Sequence, residues 1–268
     1  MSLWQNITLG RYYPGNSTVH GLDPRTKLIS CAILLSAALA VESWLALTWL
    51  GGVIVAAIAV AKLPLRLFLK NLRAFLWLFG ITVVLHAFSD PEAPHLNLWG
   101  ISISWPGILT GGRYAFRMAL LVTVAAVLSF TTIPTDLTNG LHRMLRPLQR
   151  LKIPVHELAL MVALALRFLP AIVEEAQRIQ RAQISRGARF DGNLLQRVQA
   201  LTPMLVPLFM STFSRADELA VAMEARCYHC GEGRMTYREL ALSRTDYMAL
   251  LLSGVAGATA VGLAVLFD

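Results

Sequence analysis

The chain has 268 residues, 56% of them hydrophobic and only 15% charged, with 24 Lys and Arg against 16 Asp and Glu for a net charge of +8. Soluble domains carry about 25% charged residues, so this deficit argues against a water-soluble fold and points to lipid. The basic excess is no nucleic-acid signature: it is mixed with Asp and Glu, is not interleaved with aromatics as a strand-binding groove requires, and suits an inner surface near anionic lipid.

Residues 1–16 are polar and aromatic, so no secretory signal is read there. Asp23-Pro24-Arg25-Thr26-Lys27 opens the first helix. Asp is a favoured N-cap, and Pro suits the first helical position, where a missing N–H loses no partner. Five apolar runs (28–41, 45–61, 75–88, 115–132 and 247–267) approach the ~20 residues a helix needs to cross the hydrocarbon core. The first and third are short and must borrow polar flanking residues or tilt. In the last run, Ser253, Gly254, Gly257, Ala258 and Gly262 offer a small-residue face for close helix contact.

The positions of Lys and Arg set the orientation. Arg11, Arg25 and Lys27 precede the first run, and Lys62, Arg66, Lys70 and Arg73 separate the second from the third. Segments 42–44 and 90–105 contain neither residue type, and most remaining basic residues fall between Arg143 and Arg244. This predicts a cytoplasmic N-terminus, five spans and an outward Asp268. Trp44, Trp99 and Trp105 would sit at the outer interface and Trp4 at the inner one. Arg113 and Arg117, at the outer start of the fourth run, break the rule.

Between the fourth and fifth runs the pattern changes. Leu137, Leu141, Leu145, Leu148 and Leu151, with Arg143, Arg146 and Arg150 between them, spell a short amphipathic helix ended by Ile153-Pro154. A long helix over 157–185 begins with an apolar stretch too short to span, turns charged, and has Pro170 as its expected kink. Gly187 stands where a left-handed stop belongs. A second long helix covers 193–226, and its apolar part, 198–213, contains Pro203 and Pro207. These two apolar stretches could lie in the interface, pack on a partner, or insert as a further pair of spans. Insertion would force 174–197 outward against the charge rule, so interfacial or partner-packed placement is the reading. The fold class is an all-α integral membrane protein. Its expected divisions are four transmembrane helices in 1–132, a cytoplasmic domain of long amphipathic helices in 133–246, and a final span in 247–268.

Catalytic and metal-binding signatures are missing. There is no GxxxxGK[ST] phosphate loop, His156-Glu157 lacks the second histidine of a zinc-protease helix, and no Gly-x-Ser-x-Gly elbow occurs. Cys31 reads as packing, and Cys227 and Cys230, with His229 between them, lack the second ligand pair of a structural zinc site. No metal and no cofactor are expected. The spans hold no acidic residue for ion coupling, so a transporter of this composition takes its energy from another chain.

Both long helix patterns run into an arginine, Arg186 and Arg226. That is favourable against the last carbonyls of a helix, and it projects a five-donor fork suited to a partner's carboxylate. In these residues the sequence resembles the transmembrane coupling (T) component of energy-coupling factor transporters over nearly the whole chain. The resemblance is carried by Ile7-Thr8-Leu9-Gly10-Arg11-Tyr12 with Pro14-Gly15, by Asp23, Pro24, Arg25 and Lys27, and by Leu166-Arg167-Phe168-Leu169-Pro170. It continues through Glu174, Ala182-Gln183, Arg215-Ala216-Asp217-Glu218-Leu219-Ala220 and Met223-Glu224-Ala225-Arg226. The opening is most like the shared T components that serve several substrate-binding subunits.

The resemblance implies a non-catalytic scaffold in a prokaryotic plasma membrane, taking part in uptake of vitamins or trace metals. Two Ala-Arg-Gly motifs would end its coupling helices. Here they fall on Ser185-Arg186-Gly187, with Ser replacing Ala, and Ala225-Arg226-Cys227, with Cys replacing Gly. Each arginine would enter a groove of one of two ABC-type ATPase subunits. Leu160, Leu164, Phe168, Met204, Leu208 and Phe209 would hold a small membrane-embedded substrate-binding subunit. The rival readings are a pathway-forming permease of another ABC transporter, which requires polar groups lining the spans, and an integral membrane lipid enzyme, which requires His, Asp or Glu clustered at the inner interface.

Overall fold

The structure, a computed structural model, describes residues 13–15, 17–89, 95–98, 101–145, 155–188, 194–228 and 242–267. Trp4, the opening motif from Ile7 to Tyr12, Trp99, Leu148, Leu151, His229 and Cys230 lie outside them. In chain order the elements are α1 (Pro24–Ala40), α2 (Trp44–Val60), α3 (Leu65–Ser89), β1 (His95–Leu98), β2 (Ile101–Ser104) and α4 (Trp105–Thr131). They continue with α5 (Pro134–Leu145), α6 (Val155–Ser185), α7 (Leu194–Ala225) and α8 (Arg244–Phe267). The all-α expectation holds apart from one hairpin: β1 and β2 pair antiparallel, with Leu96 opposite Ile103, inside the stretch read as an outer loop. The chain divides into two compact units, α1 to α5 with the hairpin and α8 in one, α6 and α7 in the other.

In the first unit the helix boundaries follow local chemistry. The Asp23 carboxylate accepts from the Arg25 N–H at 2.9 Å and Pro24 takes the first helical position, as the sequence reading requires. α1 stops at Val41, whose backbone is extended. α3 begins ten residues before the third apolar run, taking in Arg66, Lys70 and Arg73, and so reaches 25 residues. Among the described residues α3, α4 and α8 are long and apolar enough to cross a membrane, whereas α2 is apolar but shorter, with 17 residues. At 1.5 Å per residue, α1 and α2 are each about 26 Å long, a few ångströms short of a ~30 Å hydrocarbon core.

Lipid is as apolar as leucine, so helices inside it associate through close packing rather than hydrophobic burial. α3 and α4 do so at Gly107 and Gly111. A Cβ on Gly107 would sit 2.4 Å from the His86 carbonyl oxygen, and one on Gly111 would sit 2.8 Å from Val83 Cα. α2 supplies the buried centre, with Leu47, Leu50, Ile54 and Ile58 packed among Leu120, Val124 and Phe130 of α4 and Ala260 and Ala264 of α8. α8 does present small residues to its neighbours, but not the full set read from the sequence. Ser253, Ala256, Gly257, Ala260 and Ala264 are buried, while a Cβ added to Gly254 or Gly262 would meet nothing within 4 Å and Ala258 is exposed. The buried set follows helical spacing from Ser253, which the richness in glycine obscured.

The two arginines that break the charge rule have a local explanation. Arg117 donates to the carbonyl of Val41, at the C-terminal end of short α1, where carbonyls lack helical partners. Its guanidinium and that of Arg113 also lie over the Tyr114 ring, 5.2 and 5.9 Å from the centroid.

In the second unit, α6 and α7 carry Pro170 and Pro203 with Pro207 inside the helix. Met204 is buried against Ile179, Leu201 and Ala188, and Arg215 of α7 reaches Glu175 of α6 at 3.6 Å.

Candidate functional site

α6 and α7 end in the same way. At the first end, the N–H of Gly187 bonds to the Ile184 carbonyl at 2.9 Å and the N–H of Ala188 to that of Gln183 at 3.0 Å. At the second, the N–H of Cys227 bonds to Glu224 at 2.8 Å and that of Tyr228 to Met223 at 2.9 Å. This paired closure is the left-handed helix stop, in which one residue past the helix turns to positive φ and satisfies the orphan carbonyls. Gly187 has φ +90° and Cys227 has φ +53°. The stop read at Gly187 is therefore present, and Cys227 adopts the same geometry although its Cβ costs about 1 kcal/mol there.

Arg186 and Arg226 are the residues immediately before each left-handed turn. Both are exposed, and neither is paired with a carboxylate of any described residue. Ser185 donates its hydroxyl back to the Arg181 carbonyl at 3.2 Å, so the Ser that replaces Ala stays on its own helix. Ala225 and Cys227 are exposed.

The six apolar residues named for a second docking surface divide by exposure. Leu160, Leu164, Phe168 and Leu208 are half-buried and Phe209 is exposed. Met204 is only 4% exposed and belongs to the α6–α7 packing, so it is removed from that surface. Helical spacing cannot separate the side of α7 that meets α6 from the side left free. The free side carries Leu205, Val206, Phe209, Met210 and Phe213, all exposed.

In the first unit, the helix-start motif does more than begin a helix. Lys27 is 8% exposed, and its ammonium donates to the carbonyls of His20 at 3.0 Å and of Thr131, the last residue of α4, at 2.9 Å. The backbone N–H of Asp23 donates to the Asp246 carboxylate at 2.8 Å, across 223 residues of sequence. The other oxygen of Asp246 accepts from the N–H and the hydroxyl of Ser243, at 2.8 and 2.7 Å. Arg25 lies 4.0 Å from the Asp23 carboxylate. Pro24 is backed by Gly140 of α5, where a Cβ would come within 2.9 Å of the proline Cβ. The partners Thr131, Gly140, Ser243 and Asp246 were not read from the sequence. An acidic residue opening the last span was the available signal for Asp246.

With both arrays placed, comparison with known proteins decides the family. The model of the family described as "CbiQ: Cobalt transport protein" matches residues 15–237. The chain belongs to that family. A relative from Acidaminococcus fermentans, named energy-coupling factor transporter transmembrane protein EcfT, is 43% identical over 92% of both chains. Relatives of the same name from Heliobacterium modesticaldum and Bacillus subtilis are 42% and 39% identical, over 94% and 91% of this chain and 95% and 93% of theirs. The resemblance read from the motifs is borne out: this CbiQ-family chain is a transmembrane component of an energy-coupling factor transporter, located in a membrane. Such a component works in a multisubunit assembly.

Proposed function

We propose that the chain is the non-catalytic scaffold of an energy-coupling factor importer, passing ATP-driven motion of two ATPase subunits to a small membrane-embedded substrate-binding subunit. The observation that carries this reading is the pair of equivalent helix ends, each presenting an exposed arginine without a carboxylate partner of its own among the described residues. An unpaired guanidinium fixed at a rigid helix end suits an acidic groove, and two such ends suit two copies of a groove. When the ATPases close, the arginines move with them, and α6 and α7 carry the motion. In this reading the apolar side of these helices, with Leu160, Leu164, Phe168, Leu208 and Phe209, holds the substrate-binding subunit by packing tolerant of more than one partner. The substrates are vitamins or trace metals, selected by that other subunit, and the region 133–246 faces the cytoplasm.

The test is to purify the tagged chain from its native membrane in mild detergent and identify its companions. Two ABC-type ATPase subunits and a small hydrophobic subunit that binds a vitamin or metal are expected. A chain that purifies alone and transports a solute without ATPases overturns the reading.

A further inference from the structure

α4 is longer than α1 beside it, and two hydrogen bonds show how the pair is aligned. Lys27 near the start of α1 donates to the carbonyl of Thr131, the last residue of α4, and Arg117 donates to that of Val41, just past the end of α1. Residues 117–131, about 21 Å of helix, therefore run beside α1, and the turn between α1 and α2 is level with the middle of α4. Trp44, which opens α2, lies at the same level, its ring stacked on Phe116 with centroids 6.2 Å apart. Because α1 and α2 are each about 26 Å long, this turn falls short of the headgroups of a ~30 Å core, a mismatch that a bilayer relieves by thinning locally.

Arg113 and Arg117 stand at this level, one turn apart on one face of α4. A guanidinium at such a depth is costly unless its donors are answered. The Tyr114 ring, held 4.8 Å from His86 of α3, faces both, but a ring face takes up charge and leaves the N–H donors open. The Val41 carbonyl answers one donor of Arg117, whereas the Nε atoms of both arginines are buried without a hydrogen-bond partner. Arg113 makes no hydrogen bond or ion pair with any described residue, and the exposed Glu42 beside Val41 pairs with neither arginine. We propose that Arg113 and Arg117 bind the phosphate of an anionic phospholipid in the leaflet at the α1–α2 turn. The planar forks match phosphate oxygens. Leu109, a turn before Arg113, and Trp44 and Leu45 are exposed and apolar, a surface that acyl chains can cover and that a free anion has no use for.

The experiment uses the full chain, purified alone in an uncharged detergent, so its outcome does not depend on the scaffold reading. The probes are phosphatidylglycerol, an uncharged glucosyl diacylglycerol with the same acyl chains, and glycerol phosphate. Phosphatidylglycerol alone is expected to raise the midpoint of thermal unfolding and to remain bound in native mass spectrometry. Arg113→Gln is expected to weaken phosphatidylglycerol binding about tenfold, the scale of one lost charge-assisted hydrogen bond. Arg66→Gln, which removes the same charge from an exposed position of α3, is expected to leave it unchanged. Equal weakening by both variants shows general attraction to negative charge and overturns the site. An equal effect of the uncharged lipid or of glycerol phosphate overturns a lipid phosphate as the ligand. No lipid effect at all overturns it too, and leaves the arginines to a carboxylate of another subunit. If Arg113→Gln does not fold, phosphatidylglycerol with a photoreactive headgroup is added to the unaltered chain, where labelling of α4 around Tyr114 is expected. Labelling only at other segments overturns the proposal.

Discussion

Arg186 and Arg226 hold the same position in two helix endings whose closing hydrogen bonds are 2.9 and 3.0 Å in one and 2.8 and 2.9 Å in the other. The residue after the first is a glycine and after the second a cysteine, yet both turn to positive φ. The common feature is thus the placement of the arginine, and the glycine is one way of reaching it.

Replacing Cys227 with Gly removes a left-handed strain of about 1 kcal/mol, partly offset by a more flexible unfolded chain. Thermal unfolding of the purified protein is expected to stay level or rise slightly. Gly187→Val has open space around it but φ +90°, so it is expected to lower the midpoint. The opposite pattern would show that the helix stops do not set the stability of these ends.

Gly107→Ala places a methyl 2.4 Å from a backbone oxygen that has no flexible end to move aside. Overpacking of this kind costs about 1–3 kcal/mol. The fraction of detergent-purified protein surviving a heating series is expected to drop for Gly107→Ala and to hold for Gly254→Ala, where an added Cβ meets nothing within 4 Å.

The helices were legible because they are written locally. The Asp-Pro start of α1, the glycine stop after Ser185 and the helical spacing of α6 and α7 depend on neighbours within one or two turns. What stayed hidden is carried by long-range pairing. Nothing near Lys27 announces the Thr131 carbonyl, and nothing near Asp246 announces the Asp23 amide. Met204 read as part of a free apolar face because spacing gives a stripe's orientation on its own helix, not which stripe meets another helix. The hairpin at 95–104 was missed because two four-residue strands rest on cross-strand pairing that local pattern shows weakly.

Phe209 and Met204 separate a docking surface from internal packing. Phe209 is 59% exposed, so Phe209→Glu adds a charge without burying it, and the chain is expected to keep its ATPases and lose the substrate-binding subunit on a sizing column. Met204→Glu buries a charge between α6 and α7 and is expected to lose both through misfolding. Retention of the substrate-binding subunit by Phe209→Glu would place its seat elsewhere.

A thiol in the segment that joins α6 to α7 reports the side of the membrane on which that segment lies. In an Asn193→Cys variant lacking Cys31, Cys227 and Cys230, a membrane-impermeant maleimide is expected to label the new thiol in inside-out vesicles and to spare it in intact cells. Rapid labelling from outside would favour the alternative in which the apolar stretches of α6 and α7 insert as an extra pair of spans and carry 174–197 outward.

The most direct measurement is the amount of each ATPase that stays with the Arg186→Ala, Arg226→Ala chain when the tagged transporter is purified. A buried guanidinium–carboxylate pair that loses one partner typically costs several kcal/mol, much of it from the orphaned acid. Both ATPases should therefore be lost, with the substrate-binding subunit still attached. Full recovery of both ATPases together with normal uptake would contradict the scaffold reading.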